Sequence, residues 1–170
     1  MTSTGALRKP PQARLTYLAE TVLAEAALLR ITDSRVFAVP MDSERAGTLR
    51  HDIDLAERVD AFAARFGRLQ DTVGDKLLPL VLAWLSEPVG PAIDNLARAE
   101  RLGWIDSAAD WIECRQLRNF MIHEYVRDMA VLAAALTRGH HAVPLLEASA
   151  QRLADQVLSA LGSAGSADGA

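Results

Sequence analysis

Along the whole chain apolar residues recur at intervals of three and four, and no stretch keeps the two-residue alternation bounded by turn signals that strands require. That periodicity restricts the chain to helices, so the expected fold class is all-α. Leu15, Leu18, Ala19, Val22, Leu23 and Ala26 make one stripe of a first helix, expected over residues 11 to 31. The next segment, TDSRVFAVPMDSERAGTLRH (32 to 51), lacks periodicity and contains Pro40 and Gly47, so it is predicted to be a loop, long for a compact domain. A second helix opens at DLAE, where Asp54 and Glu57 have the spacing of a capping box. It continues to residue 87, with a kink expected at Gly74 or Pro79. A short helix follows PVGP and ends at Gly103. Ser107 and Asp110 are spaced to cap the next one, and a last helix begins at Pro144 after RGHHAV, which is predicted to be a loop.

At 170 residues, with no linker-like stretch, the chain suits one domain over residues 1 to 161, with the tail GSAGSADGA (162 to 170) disordered. Its longest apolar runs, LLPLVLAWL and MAVLAAAL, fall short of the roughly 20 residues needed to cross a bilayer. The N-terminal residues contain no apolar run before a cleavage site, so a cytoplasmic location is expected. The single cysteine, Cys114, has no partner for a disulfide or a thiolate metal site and is expected to be a small buried hydrophobe. A net charge of −4 excludes a protein that coats nucleic acid through a broad basic field, but leaves room for a small cationic site.

RQLRNFMIHEY (115 to 125) carries polar residues where a helix interior is expected. At about 100° per residue from Arg118, Trp111 falls near 20°, Ile122 near 40°, Tyr125 near 340°, Cys114 near 320°, Met121 near 300° and Leu117 near 260°. Arg118 thus falls in the middle of the arc expected to be buried. Arg115, Asn119 and His123 line an adjoining flank at four-residue spacing. The bland reading of Arg118 is an ion pair with Asp71, Asp75 or Glu100, and that of His123 is an imidazole bonded to a backbone carbonyl. The sharper reading joins the two: arginine binds phosphate through its fork of donors, and histidine exchanges protons near neutral pH. Asp71 or Asp75, in LQDTVGDK, is expected to approach Arg118 and hold it.

RNFMIHEY fits the pattern R-x-x-x-x-H-x-Y with a polar residue directly after the arginine, on a late helix of a small all-α chain. It resembles the HEPN superfamily, and within it the HepT-like toxins that pair with a minimal nucleotidyltransferase antitoxin. The likeness extends over AFAARFGRLQDTVGDKL and AERLGWIDSAADWIECRQLRNFMIHEY, so about residues 52 to 136 carry it. The resemblance implies an antiparallel bundle of about five to six helices. It implies that Arg118 and His123 form a ribonuclease pair, supported by Asn119, and that the partner enzyme adenylylates Tyr125; Asp75 enters as a supporting residue from the reading of LQDTVGDK alone. It also implies a homodimer with two motifs across a cleft, a transfer or messenger RNA substrate, and cleavage without a cofactor.

The alternative is a module without catalysis that binds or regulates a nucleotidyltransferase. A metal protein is a further rival, since His140 and His141 are adjacent, although ligation there needs a third ligand that the sequence does not show. GDKLLP lacks the glycines of a phosphate-binding loop.

Overall fold

The computed structural model describes the backbone of residues 10–123 and 128–167 and the side chains of 10–122 and 128–162. The described chain is all-α. It comprises α1 (Gln12–Val36), α2 (Ser43–Thr48), α3 (Ile53–Asp71), a π-helical segment (Thr72–Leu77), α4 (Leu78–Trp84), α5 (Ala92–Arg101), α6 (Ala108–His123) and α7 (Met129–Ala167). Since α3, the π segment and α4 form one continuous rod, six helices make up the bundle among the described residues.

Local sequence signals set several of the boundaries. Asp42 caps α2 by accepting the Arg45 N–H at 2.8 Å, and Asp52 caps α3 by accepting the Leu55 N–H at 2.9 Å. The cap of α3 is therefore Asp52 and not Asp54, because starting the helix there turns Leu55 and Val59 into the core. At the end of α5 the Trp104 N–H reaches back to the Ala99 carbonyl at 2.9 Å, and Gly103 takes φ +74, a left-handed conformation that glycine adopts without a Cβ penalty. The start of α6 is held twice: Ser107 Oγ accepts the Asp110 N–H at 3.1 Å, and Glu100 Oε2 accepts the Ala108 N–H at 2.7 Å.

Three expectations are corrected. The segment 32 to 51 is not one loop: α1 continues to Val36 and α2 covers Ser43–Thr48, so 11 of its 20 residues are helical. Thr32 turns its hydroxyl back to the Leu28 carbonyl at 2.9 Å without breaking the helix, and buried Met41, Ala46 and Leu49 pin the rest to the core. The RGHHAVP stretch is helix, because α7 runs unbroken through it with Pro144 inside. Gly139 there permits close packing rather than a turn: a Cβ on it would sit 3.2 Å from the Met121 sulfur. Residues 162 to 167 of the Gly/Ser/Ala tail also continue α7.

Where the kink was expected, at Gly74 or Pro79, the second helix carries the π segment. A proline lacks the amide donor, and its ring crowds the carbonyl four residues back. Immediately before Pro79 the ladder shifts register, with the Leu78 N–H bonded to the Val73 carbonyl five residues earlier. The core is contiguous. It takes Val22 and Leu29 from α1, Phe62 and Phe66 from α3, Trp111 and Met121 from α6, and Leu132, Leu136, Leu146 and Leu153 from α7, so the C-terminal half of α7 is integral to it.

Candidate functional site

The site is built where α6 crosses α3 and the π segment. Two glycines, Gly67 and Gly74, open notches along the rod, and two residues of α6 with the same seven-residue separation fill them in reverse order. Arg118 lies over Gly67, where a Cβ would meet its Nε at 2.7 Å, and Trp111 lies over Gly74, where a Cβ would meet its Nε1 at 2.9 Å. The reversed order makes the pair antiparallel, and the absent side chains let the helices approach closely. Trp111 is fully buried, and its indole N–H makes no hydrogen bond among the described residues.

Arg118 is accordingly neither in the core nor loose in solvent. Its Nη1 donates to Asp71 Oδ1 at 2.8 Å, with the two side chains 37% and 35% exposed. Of the two acids expected to hold it, Asp71 does so, whereas Asp75 pairs with Arg115 one turn along. Glu100 is occupied capping α6. Buried α6 residues are Trp111, Cys114, Leu117 and Met121, so the covered arc is centred at about 320°, and Arg118, about 40° from that centre between Cys114 and Trp111, is half-covered. Ile122, expected on that arc, is exposed, as is Phe120 on the far flank of the helix.

Asn119 is exposed next to Arg118. The backbone of His123 is the last residue of α6, while its side chain, Tyr125 and Arg127 lie outside the described residues. From α1, Glu25 reaches the rod near the same acids and cations. Burial pushes its carboxyl above the ordinary range, with the Thr72 hydroxyl and the charges of Arg68 and Lys76 opposing, and with Asp71 reinforcing the shift. Cys114 is buried as expected, and its thiol is pushed up to about 11, chiefly by burial and secondarily by the charge of Asp110.

On the other flank of α6, a cavity of about 250 Å³ faces α7 and is lined by Asp110, Glu113, Cys114, Arg138 and His141 among others, with Arg138 paired to Glu113. His140 points elsewhere: its Nδ1 is 2.7 Å from Asp33 Oδ1 and its ring stacks on Phe37 at 4.3 Å, tying α7 to the end of α1. Among the described residues no three His, Cys, Asp or Glu side chains are grouped to hold a metal, and no helix is long and apolar enough to cross a membrane.

The neighbour of Arg118 that sequence reasoning missed is Gly67. Its signal was present as matched seven-residue spacings, Gly67 to Gly74 and Trp111 to Arg118, which become meaningful once the two helices are known to be neighbours. No protein-family model, no curated protein and no solved structure matches the chain.

Proposed function

We propose that the chain is a toxin-type endoribonuclease of the HEPN kind, working as a homodimer and silenced by a partner nucleotidyltransferase that adenylylates Tyr125. One observation carries the reading: Arg118 is held half-exposed over Gly67 by Asp71, beside exposed Asn119, on the helix whose last residue is His123. An arginine kept only for packing would be covered, and one kept only for solubility would not need a notch cut for its stem. A fixed guanidinium meets developing charge without having to reorganise.

In the proposed reaction His123 accepts the proton of a ribose 2′-hydroxyl as that oxygen attacks the adjacent phosphorus. The new O2′–P bond forms while the P–O5′ bond breaks, and the leaving oxygen takes a proton from the His123 of the second copy. Arg118 has one Nη group engaged by Asp71, and its remaining donors stabilise the equatorial oxygens. The products are a 2′,3′-cyclic phosphate and a free 5′-hydroxyl. Phe120 and Ile122, 45% and 49% exposed, flank Asn119 about 160° apart around α6, and Ile122, on the side nearer Arg118, is apolar surface that a second copy would cover.

The second reading, a non-catalytic partner of a nucleotidyltransferase, is favoured by a different observation: Asp71 and Asp75 offset the charges of Arg118 and Arg115, leaving the motif face weakly cationic. Unmodified protein, verified by intact mass, should be mixed with total transfer RNA in EDTA beside His123→Ala and Arg118→Gln. Cleavage by the parent alone, with cyclic phosphate ends, supports the nuclease. Intact RNA in all three favours the binding module.

A further inference from the structure

We infer that the cavity between the C-terminal end of α1 and the first half of α3 is a ribose-phosphate site, binding the phosphate and sugar hydroxyls of a ribonucleotide. It measures about 310 Å³ and is lined by Arg35, Asp54, Glu57, Arg58, Ala61 and Arg65. Arg30, Arg98, Arg115, Arg118, Arg138 and Arg152 each have a carboxylate within ion-pair reach. Among the described residues the three arginines here have none, as is also true of Arg14, Arg45, Arg50, Arg68 and Arg101; what sets these three apart is that they line one cavity, together with two acids. Three arginines therefore share the walls of one cavity, none of them held in an ion pair.

One of them is already fixed. Arg65 donates to the hydroxyl of buried Thr32 and to the Leu28 carbonyl at 3.4 Å, so its fork is set against α1 before any ligand arrives. Arg58 is seven residues earlier on the same face of α3, about 10.5 Å along the axis. Arg35 is three residues past Thr32, on the next turn of α1. A phosphate placed among them meets planar donors suited to its oxygens.

The acids define the rest of the ligand. A site for bare phosphate gains nothing from Asp54 and Glu57, but carboxylates beside bound phosphate are acceptors for sugar hydroxyls, and the 2′-hydroxyl distinguishes RNA from DNA. The cavity is separate from the α6 motif: Arg65 and Gly67, the residue under Arg118, are two positions apart on α3 and so face about 200° apart. The site stands on its own observations, whether or not α6 cuts RNA.

Binding should be read by fluorescence anisotropy with a labelled single-stranded RNA, the DNA of the same sequence, and AMP and ADP as competitors. Full-length His123→Ala serves as the parent so that cleavage does not interfere. Arg35→Gln/Arg58→Gln removes two of the three cations, and its fold is checked by melting. The expected result is RNA bound more tightly than DNA, with at least a tenfold weakening in the double variant and a salt slope reduced by about 0.7 for each phosphate that is no longer neutralised. Glu57→Gln should narrow the gap between RNA and DNA. Binding of AMP or ADP but not RNA, abolished in the double variant, supports the site and assigns it to free nucleotides. A parent that binds neither, or a double variant that binds as the parent does, overturns the proposal; the second outcome leaves cleavage by Arg118 and His123 untouched, whereas the first also counts against it, and the transfer RNA assay with unmodified protein tells the two failures apart.

Discussion

Gly74→Ala tests whether the π segment is shaped by the indole packed against it. In a helix the change alone favours alanine by about 1 kcal/mol. Here the new Cβ would lie 2.9 Å from Trp111 Nε1, 3.2 Å from Cζ2 and 3.3 Å from Cε2. The indole is rigid and fully buried, so it cannot swing aside as a flexible surface side chain would. Overpacking costs about 1–3 kcal/mol, and a contact below 3.0 Å with a rigid ring belongs to the upper part of that range, about 2–3 kcal/mol, leaving a net destabilisation of about 1–2 kcal/mol after the helical gain. For a chain of this length that corresponds to a fall in Tm of about 2–8 °C. Far-UV circular dichroism during heating and in urea measures it. Gly47→Ala is the control, because Gly47 is in α2 with nothing within 4 Å of its Cβ position, and it should gain up to about 1 kcal/mol. In a Trp111→Phe background the clashing indole atoms are gone, so the sign at Gly74 should reverse. A Gly74→Ala chain as stable as its parent, with the control behaving as expected, would refute the reasoning.

Gly67→Ala crowds Arg118 at Nε, Cδ and Cγ, but this side chain can swing out, so the helical gain and the broken half-exposed ion pair nearly cancel. Stability should stay within about 1 kcal/mol of the parent while the proposed RNA cleavage falls as in Arg118→Gln, and a variant that cuts as the parent does would show that the orientation of Arg118 does not matter. With its thiol held at about 11, Cys114 should react slowly with a thiol reagent at pH 8 in the folded chain and quickly in urea, and rapid labelling of the folded chain counts against its burial. Glu25 has a carboxyl raised from its ordinary 4.5 by burial, so the folded state binds its proton more tightly than the unfolded state, and stability is lost as pH rises above that value. Glu25→Gln removes this loss; urea midpoints of parent and variant should diverge with rising pH, and a constant difference would contradict the assignment.

Which features were legible in the sequence follows from the range of the forces that set them. Gly103 and Ser107 were readable because their roles rest on hydrogen bonds within a few residues of chain. Choosing between Asp52 and Asp54 as the α3 cap needed the core, since both are acids near the helix start and burial of Leu55 decides. RGHHAVP has turn composition, yet packing of Gly139 under Met121 and the stacking of His140 on Phe37 hold it helical. Tertiary packing overrides local propensity there. Helical arithmetic found Arg118 to be anomalous but placed it too deep, because the direction from which α3 approaches α6 is not written into α6. The acid beside it was among those expected, and the glycine beneath it was not.

The unbroken course of α7 makes it a ruler. At 1.5 Å per residue, its 39 residues reach about 58 Å, as far as a helix twice the width of a small domain. Its first residue, Met129, is only six positions past His123, so one end of the ruler starts close to the motif in sequence while the other is 38 residues further along the helix. A dye or fused domain placed at the far end reports on the motif without touching it. Because Pro144 interrupts the ladder partway along, the distance between labels at Met129 and Leu161 would read any bending of the helix directly as a shortening.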